Sequence, residues 1–257
     1  GKDDVLIFSG EPGTGKKLIA DTLFSFHAAT DYFQYYCNDA SFDNFLYAAV
    51  NAYRRTINNS RLYPANFLLI EGISRLKQQN QYRLYIYIRK YLMLENRKGL
   101  LRGIILTQDN YPSSKTSKFH FEYLVKDDSR IKCIHFPSLK QMRNELGVII
   151  SSFILFFNKK LYRRISYVDN YLLLAMSQYQ WPGNFNELES LIYRGFILDQ
   201  GDTLHLSDWA KEKLSATNSN NSLLTIISSS STKLEVLRNN YWAVSQDLSK
   251  YSALLSK

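Results

Sequence analysis

Cysteine is scarce in this chain, and so are the residues that break regular structure. Cys37 and Cys133 are the only thiols in 257 residues and share no CxxC spacing, so a disulfide framework and the common zinc and redox motifs are excluded. A reducing, cytoplasmic setting is the expectation. Five prolines and 11 glycines are too few for a turn-rich all-β fold. The longest apolar run, Leu146 to Phe157, is interrupted by Ser151 and Ser152 and falls short of the about 20 residues a bilayer span needs. No signal peptide is visible, and no membrane partner is expected. His27, His120, His135 and His205 are dispersed, without the spacing of metal ligands or of a nucleophile–base pair.

Acidic residues are also in deficit: 23 Asp and Glu face 32 Lys and Arg, a formal charge of +9. Such a balance favours polyanionic partners, whether nucleotide, nucleic acid or an acidic surface, without choosing among them. What the chain has in quantity is an ordinary globular core, 45% hydrophobic and 21% charged, with 19 Tyr and 15 Phe. That composition excludes a disordered chain and points to a helix-rich body with an aromatic interior.

The first half alternates short apolar runs with amphipathic ones, the pattern of strands and helices wound into a mostly parallel sheet. Strands are predicted at Val5–Ser9, Tyr32–Cys37, Asn66–Glu71, Leu101–Thr107 and Ile131–Phe136. Helical spacing links Phe42, Phe45, Leu46, Ala49, Val50 and Tyr53, and again Leu84, Ile88, Tyr91 and Leu92. After Pro137 the strand signal fades, and helices are predicted at Leu139–Phe157, Val168–Gln178 and Asn186–Leu198. The domain reading is therefore an α/β unit over 1–137, a helical unit over 138–214, a Ser/Asn/Thr-rich linker over 215–232 and a helix over 233–257.

One segment carries recognisable chemistry. The strand-like Val5–Ser9 runs into Gly10-Glu11-Pro12-Gly13-Thr14-Gly15-Lys16-Lys17, and an amphipathic pattern of Leu18, Ile19, Leu23 and Phe26 comes next. Strand, glycine-rich loop and helix in that order make a phosphate loop. Backbone N–H groups close around phosphate oxygens, the helix N-terminus adds positive potential, and Lys16 reaches the outer phosphates. The Ser or Thr that usually succeeds the lysine and holds magnesium is Lys17 here, so the strict signature fails and a structural Gly-rich turn is the alternative.

Several segments, in order, resemble the AAA+ domain of sigma-54-dependent activators, the bacterial enhancer-binding proteins. VLIFSGEPGTGKKLIADTLF is similar to the family's first strand, GESGTGKE-type loop and helix, in which Lys17 stands where the family has Glu. NFLLIEGISRL resembles LFLDEIGEL, GIILTQD resembles IIAATN, and IHFPSLKQMRNEL resembles IHLPPLRERREDI. QYQWPGNFNELESLIYRGFIL resembles YxWPGNVRELxNxIxR, and the likeness as a whole covers about Val5 to Asp208. It implies an AAA+ P-loop domain of three layers with a helical lid, a bacterial transcription regulator that binds ATP or ADP with Mg, assembles as a homo-oligomer and contacts DNA and RNA polymerase.

The departures fall on the family's catalytic and coupling residues. Its Walker B Asp and Glu correspond to Glu71 and Gly72, so Glu71 is the candidate Mg-holding carboxylate and the water-polarising acid is missing. Thr107 stands at the first sensor position beside Gln108 in place of Asn; Asn186 replaces the second sensor arginine. Phe121–Arg130 lacks the FRxDLYYR pattern of the arginine fingers, leaving Arg130 out of register. A finger contributes about 4 to 7 kcal/mol to the transition state, so hydrolysis is expected to be very slow or lost. The GAFTGA loop that touches sigma-54 has no counterpart between Lys16 and Glu71.

Two basic clusters, Arg75 to Arg102 and Lys159, Lys160, Arg163 and Arg164, offer phosphate or subunit contacts, with a solvated helix face as the commoner explanation. The tail LEVLRNNYWAVSQDLSKYSALLSK faintly resembles the start of a Fis-type helix-turn-helix. The chain starts at the first strand, without the helix the family places before it, as a fragment would. The reading that results is a regulator whose AAA+ domain binds nucleotide and hydrolyses it slowly or not at all. An active ATPase with rebuilt catalytic residues and a nucleotide-free scaffold are its rivals.

Overall fold

The computed structural model describes residues 5–26, 33–47, 67–89, 103–110, 121–215 and 231–234. The chain divides into two compact units, Gly1–Pro137 and Ser138–Lys257.

In the first unit, strands β1 (Val5–Gly10), β2 (Phe33–Tyr36), β3 (Phe67–Glu71), β4 (Gly103–Asp109) and β5 (Ile131–Phe136) form one sheet in the order β2-β3-β4-β1-β5. Every pairing in it is parallel. Both faces of the central strands are buried, and the alternation of side chains divides them between two cores. Val5, Ile7, Leu68, Ile70, Ile104 and Leu106 face one core with Phe42, Phe45, Leu84, Ile88 and Phe121. Phe8, Leu69 and Ile105 face the other, against Ala20 and Phe24 of helix α1 (Lys16–Phe26). Helix α2 (Gln78–Tyr87) and the short α3 (Phe121–Val125) pack on the first of these faces. The result is the expected α/β three-layer unit.

The strand order sets where a ligand can enter. From β1 the chain crosses to the far edge at β2, whereas β4 crosses β1 to reach β5. Connections therefore diverge at the carboxyl end of β1, the place where open parallel sheets bind ligands.

The second unit holds α4 (Leu146–Leu161), α5 (Asn170–Gln178), α6 (Asn184–Leu198) and α7 (Ser207–Ser215) around a separate core that includes Ile150, Ile154, Leu172, Trp181, Leu188 and Ile192. It is not purely helical. β6 (Tyr167–Asp169) pairs in parallel with β7 (Thr203–Leu204) and antiparallel with β8 (Ser231–Lys233).

Several sequence-based expectations change. The helix predicted from Leu139 begins at Leu146, because residues 138–145 form turns and a 3₁₀ segment at Arg143–Glu145. The helix predicted from Val168 begins at Asn170, where the Asp169 carboxylate accepts the Leu172 amide at 3.0 Å as an N-cap. Residues 231–233, divided between the linker and the terminal helix, are strand; 216–230 and 235–257, and with them most of both assignments, lie outside the described residues. On α1, Leu18 and Ile19 are 68% and 43% exposed, so the buried stripe runs through Ala20 and Phe24 in their place.

Candidate nucleotide site

At the carboxyl end of β1 the chain turns through residues 11–15 into the first turn of α1. Gly10 is required there. Its φ is 155°, and a Cβ would lie 2.6 Å from the Phe136 carbonyl oxygen of β5. Gly13 and Gly15 take φ of 78° and 82°, giving the loop its left-handed turns. Thr14 closes it by donating from Oγ1 to the Glu11 carbonyl at 2.8 Å.

Lys16 is folded under this loop and is only 6% exposed. Its Nζ donates to the carbonyls of Gly10 at 3.0 Å and Glu11 at 2.7 Å and pairs with Asp109 Oδ1 at 2.9 Å. An ammonium has three donors, and these three nearest acceptors match them, with Thr14 Oγ1 farther off at 3.4 Å. Asp109 was not singled out from the sequence. The signal was its place two residues beyond Thr107 on β4, the strand whose Asp109 lies in register with Gly10.

Beside this cluster a second one forms from residues far apart in sequence. Lys17, in the first turn of α1, reaches the end of β3, where its Nζ pairs with Glu71 Oε1 at 3.3 Å. It also donates to the Tyr36 hydroxyl at 3.5 Å. The same Glu71 oxygen accepts a short hydrogen bond from Gln34 Nε2. Burial alone lowers the Lys17 pKa, but the hydrogen bond and charge of Glu71, helped by Tyr36 and Asp21, outweigh it and hold the ammonium above its ordinary value. Gln34 and Tyr36 belong to β2 and carry no motif.

Gly72, where the resemblance implies a water-polarising acid, adopts φ 74° and ψ 42°. Its amide donates to Thr107 twice, to the carbonyl and to Oγ1, each at 3.0 Å. Thr107 thus lies against Gly72, with one hydroxyl lone pair engaged. Gln108 Nε2 donates to Asn110 Oδ1 at 3.1 Å.

Magnesium does not fit these residues. The ion keeps several waters and takes one or two carboxylates besides the phosphates of its ligand, so Glu71 would have to be available to it. Here the Lys17 ammonium sits at hydrogen-bond distance from the one carboxylate that would hold it, and Gly72 offers no side chain. Among the described residues no group of three or more His, Cys, Asp or Glu is disposed to hold a metal.

Four of the other candidates, Arg83, Arg89, Arg130 and Arg163, are turned to internal use. Arg130 makes a two-pronged contact with Asp128, at 3.1 and 3.0 Å, and so is tied to its own turn. Of the first basic cluster, Arg83 pairs with Asp43 at 2.6 Å and Arg89 with Asp128 at 3.7 Å; Lys90, Arg97, Lys98 and Arg102 lie outside the described residues. In the second cluster, Arg163 binds the carbonyls of Phe196 and Asp199 at the end of α6, the position at which a cation favours a helix dipole.

The Trp-Pro-Gly-Asn segment has a structural explanation in its own unit. Trp181 is 1% exposed, donates its indole N–H to Met176 O at 3.0 Å and stacks on Trp209. Asn184 Oδ1, fully buried, accepts the Leu139 amide at 2.7 Å. Glu187 accepts the Gly183 amide at 2.9 Å and the Tyr179 hydroxyl at 2.8 Å, holding the start of α6.

A five-stranded parallel sheet in this order, a glycine-rich loop at the end of β1 and a second, mainly helical unit make up the AAA+ fold. Residues 140–225 match the AAA+ ATPase lid domain. The chain is related, at low identity, to sigma-54-dependent transcriptional activators. It is 23% identical over 219 residues to the formate hydrogenlyase transcriptional activator FhlA of Escherichia coli, covering 80% of this chain and 32% of that one. It is 25% identical over 107 residues to the transcriptional regulatory protein XylR of Pseudomonas putida, covering 41% and 19%. Among solved structures, NtrX of Brucella abortus in complex with ADP superposes with a TM-score of 0.55 at 11% identity, covering 99% of this chain and 62% of that one. The chain spans about a third of the length of FhlA. Among the described residues no helix is long and apolar enough to cross a membrane.

Proposed function

We propose that this chain is the AAA+ module of a transcriptional regulator, binding ATP or ADP through Gly10–Lys17 and hydrolysing it slowly or not at all. The observation that carries the reading is the loop itself. Gly10, which tolerates no Cβ, delivers the chain from β1 into α1 at the divergence point of the sheet, with Lys16 beneath it. A fold of this kind has been solved with ADP in the Brucella protein. Slow turnover is expected from Gly72, from Asn186 at the second sensor position and from Arg130 bound to Asp128. Nucleotide then acts as a structural or assembly ligand, and the regulator works on transcription through DNA or polymerase contact in a homo-oligomer, without the GAFTGA loop.

The test is a titration of ATP and ADP with oligomer mass and phosphate release monitored together. Binding without brisk release is expected. Vigorous release dependent on Lys16 would show an active ATPase with rebuilt residues.

One observation favours the nucleotide-free scaffold: the Lys16 ammonium already has Gly10, Glu11 and Asp109 as acceptors. A phosphate must displace at least the carboxylate. No binding of either nucleotide at millimolar concentration would decide for the scaffold.

A further inference from the structure

We propose that the Lys17 ammonium takes the place of the divalent cation, so that this site binds its nucleoside di- or triphosphate free of metal. The inference rests on the nucleotide-binding reading of Gly10–Lys17 and concerns the form of nucleotide bound.

Three relationships carry it. First, the two positions that share a magnesium ion in a phosphate-loop protein, the residue after the loop lysine and the carboxylate ending β3, are still face to face, at 3.3 Å between Lys17 Nζ and Glu71 Oε1. The carboxylate has kept a cationic partner, and that partner is now a side chain. Second, the cation is fastened from outside the loop: Gln34 and Tyr36 of β2 bind the same pair, Gln34 to Glu71 Oε1 and Tyr36 to Lys17 Nζ. Third, Lys17 remains accessible, with 43% of its side chain exposed, while Glu71 is 14% exposed. Glu71 and Tyr36 occupy two of the three ammonium donors, which leaves one for a phosphate oxygen.

Charge decides the form of ligand. Lys16 and Lys17, paired in the free chain with Asp109 and Glu71, stand consecutively at the start of a helix whose N–H groups also attract anions, and a phosphate that displaces Asp109 meets their charge. Metal-free nucleotide brings its full negative charge to this cluster. Its magnesium complex brings less, and its metal would have to sit against the ammonium. The substrate class is therefore a free nucleoside di- or triphosphate, and magnesium competes with the protein for it.

The experiment is calorimetric titration of the full chain with ADP and ATP, in EDTA and in excess magnesium, repeated for Lys17→Ser and Lys16→Ala. Binding in EDTA at least as tight as in magnesium is expected for the parent chain. Lys17→Ser should lose about tenfold in EDTA, the scale of one charge-assisted hydrogen bond, and recover part of it when magnesium is added. Circular dichroism of Lys17→Ser, a change at a half-buried position, checks that the fold is retained. Binding by the parent only with magnesium overturns this inference and leaves the nucleotide-binding reading intact. Binding in neither condition overturns both. An unchanged EDTA affinity in Lys17→Ser, with Lys16→Ala still losing affinity, shows that the second ammonium does not replace the metal.

Discussion

Gly72 and Thr107 are joined by a single amide that serves two acceptors, the Gly72 N–H lying 3.0 Å from both the carbonyl and the hydroxyl oxygen of Thr107. This contact locks the turn after β3 onto β4 in a left-handed conformation, at the position where the sequence resemblance implies a water-polarising acid.

Restoring that acid by Gly72→Glu is expected to fail on both counts. A side chain at φ 74° costs about 1 to 3 kcal/mol, and its Cβ would meet Arg75 Cδ and Nε at 3.2 Å. Chemical denaturation should show the loss, and phosphate release should stay near background. A variant as stable as the parent and turning over briskly would show that the turn adapts and that only the carboxylate was missing.

The two thiols should differ sharply in reactivity. Cys37 is 3% exposed, and burial pushes its thiol from 9.0 up to about 12, with Arg75 opposing and Asp39 and Glu71 adding to the rise. At neutral pH its thiolate population is about a thousandfold below that of an ordinary thiol. Cys133 is exposed. Iodoacetamide should modify Cys133 alone in the folded chain, and Cys37 only after denaturant is added, as read by peptide mass. Comparable labelling of both in buffer would contradict the burial of Cys37.

Alkaline pH should loosen the segment before α6 through Tyr179. Burial, the hydrogen bond to Glu187 and the charges of Glu187 and Glu212 push its hydroxyl up to about 12. The folded state favours the protonated phenol. Its contribution is therefore complete below the ordinary value of about 10 and is lost as pH rises toward 12. The denaturation midpoint of the parent should fall over that window more than that of Tyr179→Phe, and equal slopes would remove Tyr179 as the cause. In the same segment Asn184→Ala should cost about 2 to 3 kcal/mol at neutral pH, because it strands the buried Leu139 amide.

How far the sequence revealed this arrangement depends on the range over which each signal acts. The five strands were legible because strands such as Ile7–Phe8 and Leu69–Ile70 are buried on both faces of the sheet and read as unbroken apolar runs. The loop was legible because its glycines and lysine are consecutive. Strands β6, β7 and β8, of two or three residues, are too short to show a period. The Lys17–Glu71 pair joins residues 54 positions apart, and only the order of the strands brings them together. Leu18 and Ile19 misled because an apolar residue on the exposed flank of α1 has the same spacing as one on its buried stripe.

Asp109 competes with phosphate for Lys16, and this competition can be measured. The pair is 7% and 14% exposed, so its attraction is only weakly screened, and Lys16 keeps its bonds to the Gly10 and Glu11 carbonyls when the carboxylate is removed. Asp109→Asn should therefore lower the stability of the chain without nucleotide by about 1 kcal/mol, because the neutral amide oxygen still accepts the bond but without the carboxylate's charge. The same change removes the negative charge that holds the ammonium, leaving a neutral amide oxygen that a phosphate oxygen displaces more easily. Affinity for ADP and ATP should rise, and the increase in melting temperature on adding either nucleotide should exceed that of the parent, since ligand stabilisation grows with the ratio of ligand concentration to Kd. Lys16→Ala, which removes the donor itself, should weaken binding about tenfold or more. The decisive pattern is opposite signs for Asp109→Asn: less stable alone, more strongly stabilised by nucleotide. If Asp109→Asn instead binds more weakly while remaining folded, the carboxylate positions Lys16 for the ligand and does not compete with it.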